Sequence, residues 1–101
     1  MITIELFEKA GPFAENKDLA RGIRKNEIIP ALERNEEVIL DFSDVEATTQ
    51  SFIHALISDL IRNYGQEVLD RIAFKSCNET IQKIIMIVSD YMQESDWEFS
   101  G

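Results

Sequence analysis

The chain has 101 residues, 45% of them hydrophobic, and its 19 acidic and 10 basic residues give a formal net charge of −9. This length fits one domain with one modest core, and the low content of proline and glycine excludes a disordered chain. The negative charge disfavours nucleic acid and anionic membrane surfaces as partners, so we expect neither.

Two elements are predicted before residue 35. Ile2 to Leu6 alternates apolar and polar residues, which predicts a strand at the edge of a sheet, and Gly11-Pro12 ends it. Asn16 is expected to cap a helix that kinks at Pro30 and continues to Arg34. The apolar face of this helix is opposite a set of basic residues, namely Lys17, Arg21, Arg24 and Lys25.

The central stretch runs from Glu37 to Leu60 and combines a strand with a helix. Val38 to Leu40 is a short apolar run that ends in Asp41-Phe42, which predicts a buried strand. The polar cluster Thr48 to Ser51 then begins a segment of helical periodicity that Tyr64-Gly65 ends.

The last third predicts one more strand and one more helix. Ile72 to Phe74 is an apolar run that predicts a third buried strand, and Asn78 or Ser76 caps the helix that follows. The apolar face of that helix holds Ile81, Ile84, Ile85, Val88 and Met92. Alternation of strands and helices predicts an α/β fold with three or four mostly parallel strands, three helices and right-handed crossovers.

Other features of the chain favour a single domain in a reducing compartment. The lone cysteine, Cys77, has no partner for an intrachain disulfide. MITIELFEK has neither the basic start nor the apolar stretch of a signal peptide, and no apolar run is long enough to cross a bilayer. We therefore expect a cytoplasmic protein with one domain over residues 1–101. Its tail, residues 96–101 with Trp97 and Phe99, either packs on the body, contributes to a homodimer or frays.

Ser51 is the foremost candidate site, because it lies where the central helix is predicted to begin. Free backbone N–H groups and the helix dipole favour an anion there, and a phosphate on Ser51 would add nearly two negative charges. The alternative is that Thr48, Thr49 or Ser51 is an ordinary N-cap that stabilises the helix by about 1 kcal/mol.

The remaining candidates have stronger structural explanations than functional ones. Asp41 and Asp44 follow the central strand but offer too few oxygen ligands for a metal ion, so turn-forming roles are favoured. His54 is expected to be a partly buried packing residue. Cys77, just before a helix, has either a thiol pKa lowered by the helix dipole or a role as a small apolar filler.

Enzyme motifs are missing from the sequence. It contains no glycine-rich phosphate loop, no GxSxG, no HExxH and no paired CxxC. We therefore expect no enzymatic activity, no metal and no cofactor.

The central stretch resembles a known family. The pattern LDFSDV-x4-QSF-x3-LISDL is similar to the STAS superfamily, and more closely to the STAS-like family of largely uncharacterised bacterial proteins. The resemblance rests on the helix from Arg21 to Leu32, the strand Val38 to Phe42, Val45 and the helix start Gln50-Ser51-Phe52, and extends from about Phe13 to Val88.

The resemblance implies a regulatory role. In anti-sigma-factor antagonists of the STAS superfamily, a serine at this helix start is phosphorylated by the partner, an anti-sigma factor with a histidine-kinase-like ATP-binding fold, and phosphorylation releases the antagonist. Ser51 falls on that position. Where those antagonists carry Asp-Ser-Ser-Gly, this chain has Thr49-Gln50-Ser51-Phe52, and the aromatic side chain in place of glycine is expected to pack inward.

Three hypotheses follow. The first is a non-enzymatic interaction module, monomeric or homodimeric, that binds a kinase-like ATP-binding partner and is switched by Ser51. The side chains expected to contact that partner are Asp44, Thr48, Thr49, Gln50, His54 and Ser58. The second is a small-ligand or nucleotide sensor that holds an anion at the same helix N-terminus. The third, an enzyme that uses Asp41 and Asp44, has the least support.

Overall fold

The computed structural model describes residues 1–100, with side chains as far as Tyr91. In chain order the elements are β1 (Ile2–Glu5), α1 (Leu6–Ala10), β2 (Phe13–Ala14), α2 (Lys17–Ile23), a π-helical segment (Arg24–Ile28), α3 (Ile29–Glu33), β3 (Val38–Asp41), β4 (Ala47–Thr48), α4 (Gln50–Tyr64), a 3-10 segment (Gln66–Arg71), β5 (Ile72–Lys75) and α5 (Glu79–Ser100). The predicted α/β class with mostly parallel strands is confirmed.

The main sheet has three parallel strands in the order β1-β3-β5. In its register Ile4, Leu40 and Phe74 form one row across the strands, and this row faces the core. The neighbouring row, formed by Thr3, Ile39 and Ala73, is exposed or half-buried. The alternation of side chains along a strand therefore separates a core face from a more open face.

β1 lies at an edge of the sheet, as its sequence pattern predicts, but β5 is less buried than its apolar run predicts. β1 is an edge strand, as its alternation predicts, and β3 is the central strand. β5 is the other edge strand, and only Ile72 among its residues is fully buried. The predicted third strand is therefore confirmed, but the prediction that it is buried was wrong, because one face of β5 lies at the open side of the sheet.

A second, very short sheet pairs β2 with β4 in parallel. Phe13 is opposite Ala47 and Ala14 is opposite Thr48. The Thr48 hydroxyl donates to the carbonyl of Ala14 at 2.7 Å, which reinforces the pairing. Neither this sheet nor α1 was predicted, because elements of two to five residues carry too little periodicity to be recognised.

The helical stretch around Pro30 is continuous, and it changes geometry instead of breaking. Asn16 caps α2 as predicted, since its side chain accepts hydrogen bonds from the backbone N–H groups of Asp18 and Leu19. The π-helical segment then precedes α3, with Pro30 in the first turn of α3, where a missing backbone N–H does little harm. The predicted kinked helix therefore ends at Glu33 and owes its irregularity to this segment.

α4 is the central helix of the core, and α2 and α5 pack on it. Gly65, with φ of +82°, ends α4 as predicted. The apolar run of α5 is helical, also as predicted, with Ile81 and Val88 buried. Among the described helices, none is both long enough and apolar enough to cross a membrane. The predictions for the side chains of Met92, Trp97 and Phe99 concern positions outside the described side chains.

Candidate functional site

The start of α4 places Ser51 at the surface. Thr49 is the N-cap, and its hydroxyl accepts a hydrogen bond from the backbone N–H of Phe52 at 3.1 Å. Ser51 is the second residue of the helix and is exposed, whereas Phe52 is completely buried. The cap is thus Thr49, and the Ser51 hydroxyl is not needed to satisfy the helix end. The prediction that Phe52 packs inward is confirmed.

The turn after β3 is closed by Asp41. Its carboxylate accepts hydrogen bonds from the Ser43 hydroxyl at 2.6 Å and from the Ser43 backbone N–H at 2.9 Å. These bonds hold the pKa of Asp41 below its usual value. Asp44 instead has a left-handed backbone conformation, with φ of +68°. The predicted turn-forming roles are therefore confirmed for both acids, and Asp41 supplies the local hydrogen bonds.

The small second sheet determines how α2 and α4 begin. β2 leads through Asn16 into α2, and β4 leads through Thr49 into α4. Because the two strands are parallel, both helices leave the sheet from the same end. The backbone N–H of Thr49 also donates to the carbonyl of Ala14 at 3.2 Å. This pairing brings the first turn of α2 beside the first turn of α4.

An open groove of about 510 Å³ lies among α2, α4 and α5. Four of the predicted site residues line it: Gln50, Ser51, His54 and Ser58. Gln50 and Ser51 are exposed, His54 is half-buried, and Ser58 is buried. The other three predicted residues, Asp44, Thr48 and Thr49, are not among the groove residues, and the Thr48 hydroxyl is used in the second sheet.

The groove has a positive charge on a negatively charged protein. Among the side chains described, which end at Tyr91, its wall contains four basic residues, namely Lys17, Arg21, Arg24 and Arg62, and one acidic residue, Asp59. This described part of the wall has a formal charge of +3, while the whole chain has −9. Clefts lined by one sign of charge focus the electrostatic field on the opposite charge.

Arg24 connects the helices at the base of this groove. Only 12% of its side chain is exposed, and its guanidinium donates to the carbonyl of Ala55 at 2.8 Å and pairs with Asp59 at 3.1 Å. Asp59 also contacts Arg62 at 3.4 Å. The Nε atom of Arg24 is buried and has no hydrogen-bond partner among the described residues. One carboxylate is thus shared by two guanidinium groups.

Sequence reasoning identified Lys17, Arg21 and Arg24 as a basic face but did not recognise the groove. Lys17 and Arg21 are four positions apart and so share one face of α2. This spacing was visible in the sequence. The contribution of Arg62 and of Ile87, Val88 and Tyr91 from α5 depends on how the helices pack, which no local pattern reveals.

Cys77 and the acidic residues give no sign of a reactive or metal-binding site. Burial raises the pKa of the Cys77 thiol to about 11, with a further contribution from the charge of Asp41. The alternative of a thiol activated by the helix dipole was therefore wrong, and Cys77 packs against the core as a filler. Within the described residues, no three His, Cys, Asp or Glu side chains lie close enough to hold a metal ion.

Comparison with family models matches residues 20–82 to the STAS-like domain of unknown function. The chain belongs to this family. The matched part of the STAS-like domain begins within α2 and ends in the first turn of α5, so it includes Ser51 and most of the basic groove residues. Lys17 and the α5 side of the groove lie beyond it. Searches among curated proteins and among solved structures gave no match.

Proposed function

We propose that this STAS-like domain is a regulatory interaction module that binds a protein with a histidine-kinase-like ATP-binding fold and is switched by phosphorylation of Ser51. The observation that carries the proposal is the position of Ser51, exposed in the first turn of α4 while its neighbour Phe52 anchors the helix in the core. The matched family is a STAS-like domain of unknown function, so the comparison indicates no enzyme family.

A modified Ser51 is compatible with the fold. The hydroxyl oxygen forms a bond to the γ-phosphorus of the partner's ATP as the bond to ADP breaks, and the hydroxyl proton is lost. Because Thr49 keeps the cap, the new phosphate displaces no hydrogen bond that the helix needs. Its charge is also favourable at the positive end of the helix.

The same charge acts differently on a docked partner. A dianion placed in a contact that was formed around a neutral hydroxyl must be desolvated, and the basic groove residues already face it before the partner binds, so they do not favour the complex. A cost of about 1.4 kcal/mol already changes the dissociation constant tenfold. We therefore expect a phosphate on Ser51 to reduce occupancy of the complex by at least about tenfold.

The experiment compares two helix starts. Thr80 is the exposed second residue of α5, as Ser51 is of α4, but Thr80 does not line the groove. Calorimetry with a histidine-kinase-like ATPase of the native host should give about tenfold weaker binding for Ser51→Asp. Ser51→Ala and Thr80→Asp should bind within about twofold of the unmodified chain.

Phosphate transfer is measured separately. Incubation with the ATPase and ATP, followed by mass spectrometry, should place phosphate on Ser51 and leave Ser51→Ala unmodified. If Ser51→Asp and Ser51→Ala bind the ATPase equally well, or if the phosphate is found at another residue, the proposed switch is wrong.

A further inference from the structure

We infer that the groove among α2, α4 and α5 is a binding site for a small phosphate monoester that carries an aromatic ring. This site goes beyond the proposed switch, because it acts in the unmodified protein and requires no protein partner. Its residues are contributed by three helices, and several of them lie outside the pattern that identifies the family.

The charge of the groove selects an anion. Lys17 and Arg21 are on the α2 wall and Arg62 is on α4, while Asp59, the one acidic residue among the described lining side chains, is already engaged by Arg24 and Arg62. Arg21 is held by Asp18, which is highly exposed, so this pair is weak and open to exchange. Guanidinium groups bind phosphate through two parallel hydrogen bonds, and a phosphate monoester, with nearly two negative charges, matches several cations better than a singly charged carboxylate does.

The α5 wall selects the rest of the ligand. Ile87 and Tyr91 are large side chains that are about half exposed and line the groove opposite the basic wall. An aromatic ring that covers them buries apolar surface, and a ring on Tyr91 can stack. A free anion without an apolar part would leave this wall exposed to water.

The size of the groove favours a small molecule over a peptide segment. Its volume of about 510 Å³ lies in the usual range for small-ligand sites, about 300–1,000 Å³. Arg24 gives it a rigid base, since the guanidinium is held between Ala55 and Asp59. A preformed base lowers the conformational entropy that the protein must lose when a ligand binds.

The test is an NMR titration of the full chain with phenyl phosphate as the probe. We expect a dissociation constant of about 1 mM and shifts of the amide signals of Arg21, Ser51 and Ile87, but not of Thr80. Inorganic phosphate, which lacks the ring, and phenol, which lacks the phosphate, should each bind at least about fivefold more weakly. Higher salt should weaken binding of phenyl phosphate.

Matched variants locate the site. Arg21 and Arg34 are both exposed arginines, at 53% and 61%, and each pairs with one nearby carboxylate. Arg21→Gln should weaken phenyl phosphate binding about fivefold, while Arg34→Gln, outside the groove, should change it less than about twofold. On α5, Tyr91→Ala should weaken binding, whereas Met86→Ala, also exposed but outside the groove, should not.

Several outcomes would overturn the inference. These are a dissociation constant above about 10 mM, equal effects of Arg21→Gln and Arg34→Gln, and inorganic phosphate binding as tightly as phenyl phosphate. The inference would also be contradicted if an acidic peptide shifted the same amide signals and phenyl phosphate did not. The titration uses neither ATPase nor modified protein, so its failure leaves the Ser51 proposal intact, and failure of the Ser51 experiment leaves this site intact.

Discussion

The starts of α4 and α5 have the same local architecture but differ in their surroundings. α4 follows β4 of the second sheet and α5 follows β5 of the main sheet, and each helix has a side-chain cap, Thr49 on α4 and Asn78 on α5, that accepts a hydrogen bond from the third helical residue. In each, the second residue is an exposed hydroxyl, Ser51 or Thr80.

The difference lies in what surrounds each hydroxyl. Ser51 borders a groove whose described side chains have a formal charge of +3, whereas Thr80 follows Glu79 and does not border that groove. Asn78 also ties its turn to the rest of the chain, since its amide donates to the carbonyl of Glu46 at 2.8 Å. A hydroxyl in the first turn of a helix is therefore not distinctive by itself, and the packing of α2 beside α4 distinguishes Ser51.

The largest predicted effect comes from truncating the buried side chain that anchors the start of each helix. The third residue of each helix, Phe52 or Ile81, is completely buried. Phe52→Ala should lower the free energy of unfolding by about 3–5 kcal/mol and Ile81→Ala by about 2–5 kcal/mol, because each leaves a cavity in the core. Urea denaturation measures both. A loss below about 1 kcal/mol at one site would show that the two starts are not anchored alike.

Cys77 tests whether the dipole of α5 or burial dominates near that helix start. With the thiol pKa at about 11 instead of 9.0, the thiolate fraction at pH 8 falls about 100-fold, and alkylation should be slower by about that factor than in the unfolded chain. Raising the pH toward 11 should restore the rate. Alkylation of the folded and unfolded chains at equal rates would mean that the helix dipole offsets burial.

The caps test whether Ser51 is free of a structural role. Thr49→Ala and Asn78→Ala should each lower the free energy of unfolding by about 1 kcal/mol, with the larger loss for Asn78, which also bonds Glu46. Ser51→Ala and Thr80→Ala should change it by less than about 0.5 kcal/mol. A larger loss for Ser51→Ala in urea denaturation would assign the hydroxyl to the fold.

The smallest predicted effect reports on the electrostatic field at the start of each helix. Ser51→Asp should stabilise the protein by about 0.3–1 kcal/mol, because the new carboxylate faces both the helix dipole and the basic groove. Thr80→Asp should stabilise it less, because Glu79 already occupies that turn. Thermal denaturation at low and high salt compares them. An equal gain at both positions would show that the groove adds nothing to the field at Ser51.

The main helices and strands were predictable because each contains several apolar residues that recur with the period of that element. The alternation in β1, the apolar run of β3 and the helical spacing in α4 and α5 all correspond to structure. α1, β2 and β4 were missed because each is shorter than the pattern needed to detect it. The π-helical segment was missed too, since Pro30 predicts an irregularity but not its geometry.

The candidate site was half predictable. Ser51 and the N-cap were identified from residue types around a helix start, which are local properties. The groove combines Lys17, Ser51 and Tyr91, which are far apart in the sequence. Lys17 meets Ser51 because two residues in β2 pair in parallel with two in β4, and Tyr91 joins them because α5 packs on α4, and both are long-range contacts without a local signal.

The pairing of the main sheet also has a consequence for synthesis. Ile2 is paired with Val38, and Val38 with Ile72, so the next neighbour of each strand lies about 35 residues further along the chain. During translation β1 has no neighbour until β3 leaves the ribosome, and β3 lacks its second neighbour until β5 emerges. A nascent chain that stops before residue 72 exposes the unpaired edge of β3, which makes it a candidate for chaperone binding.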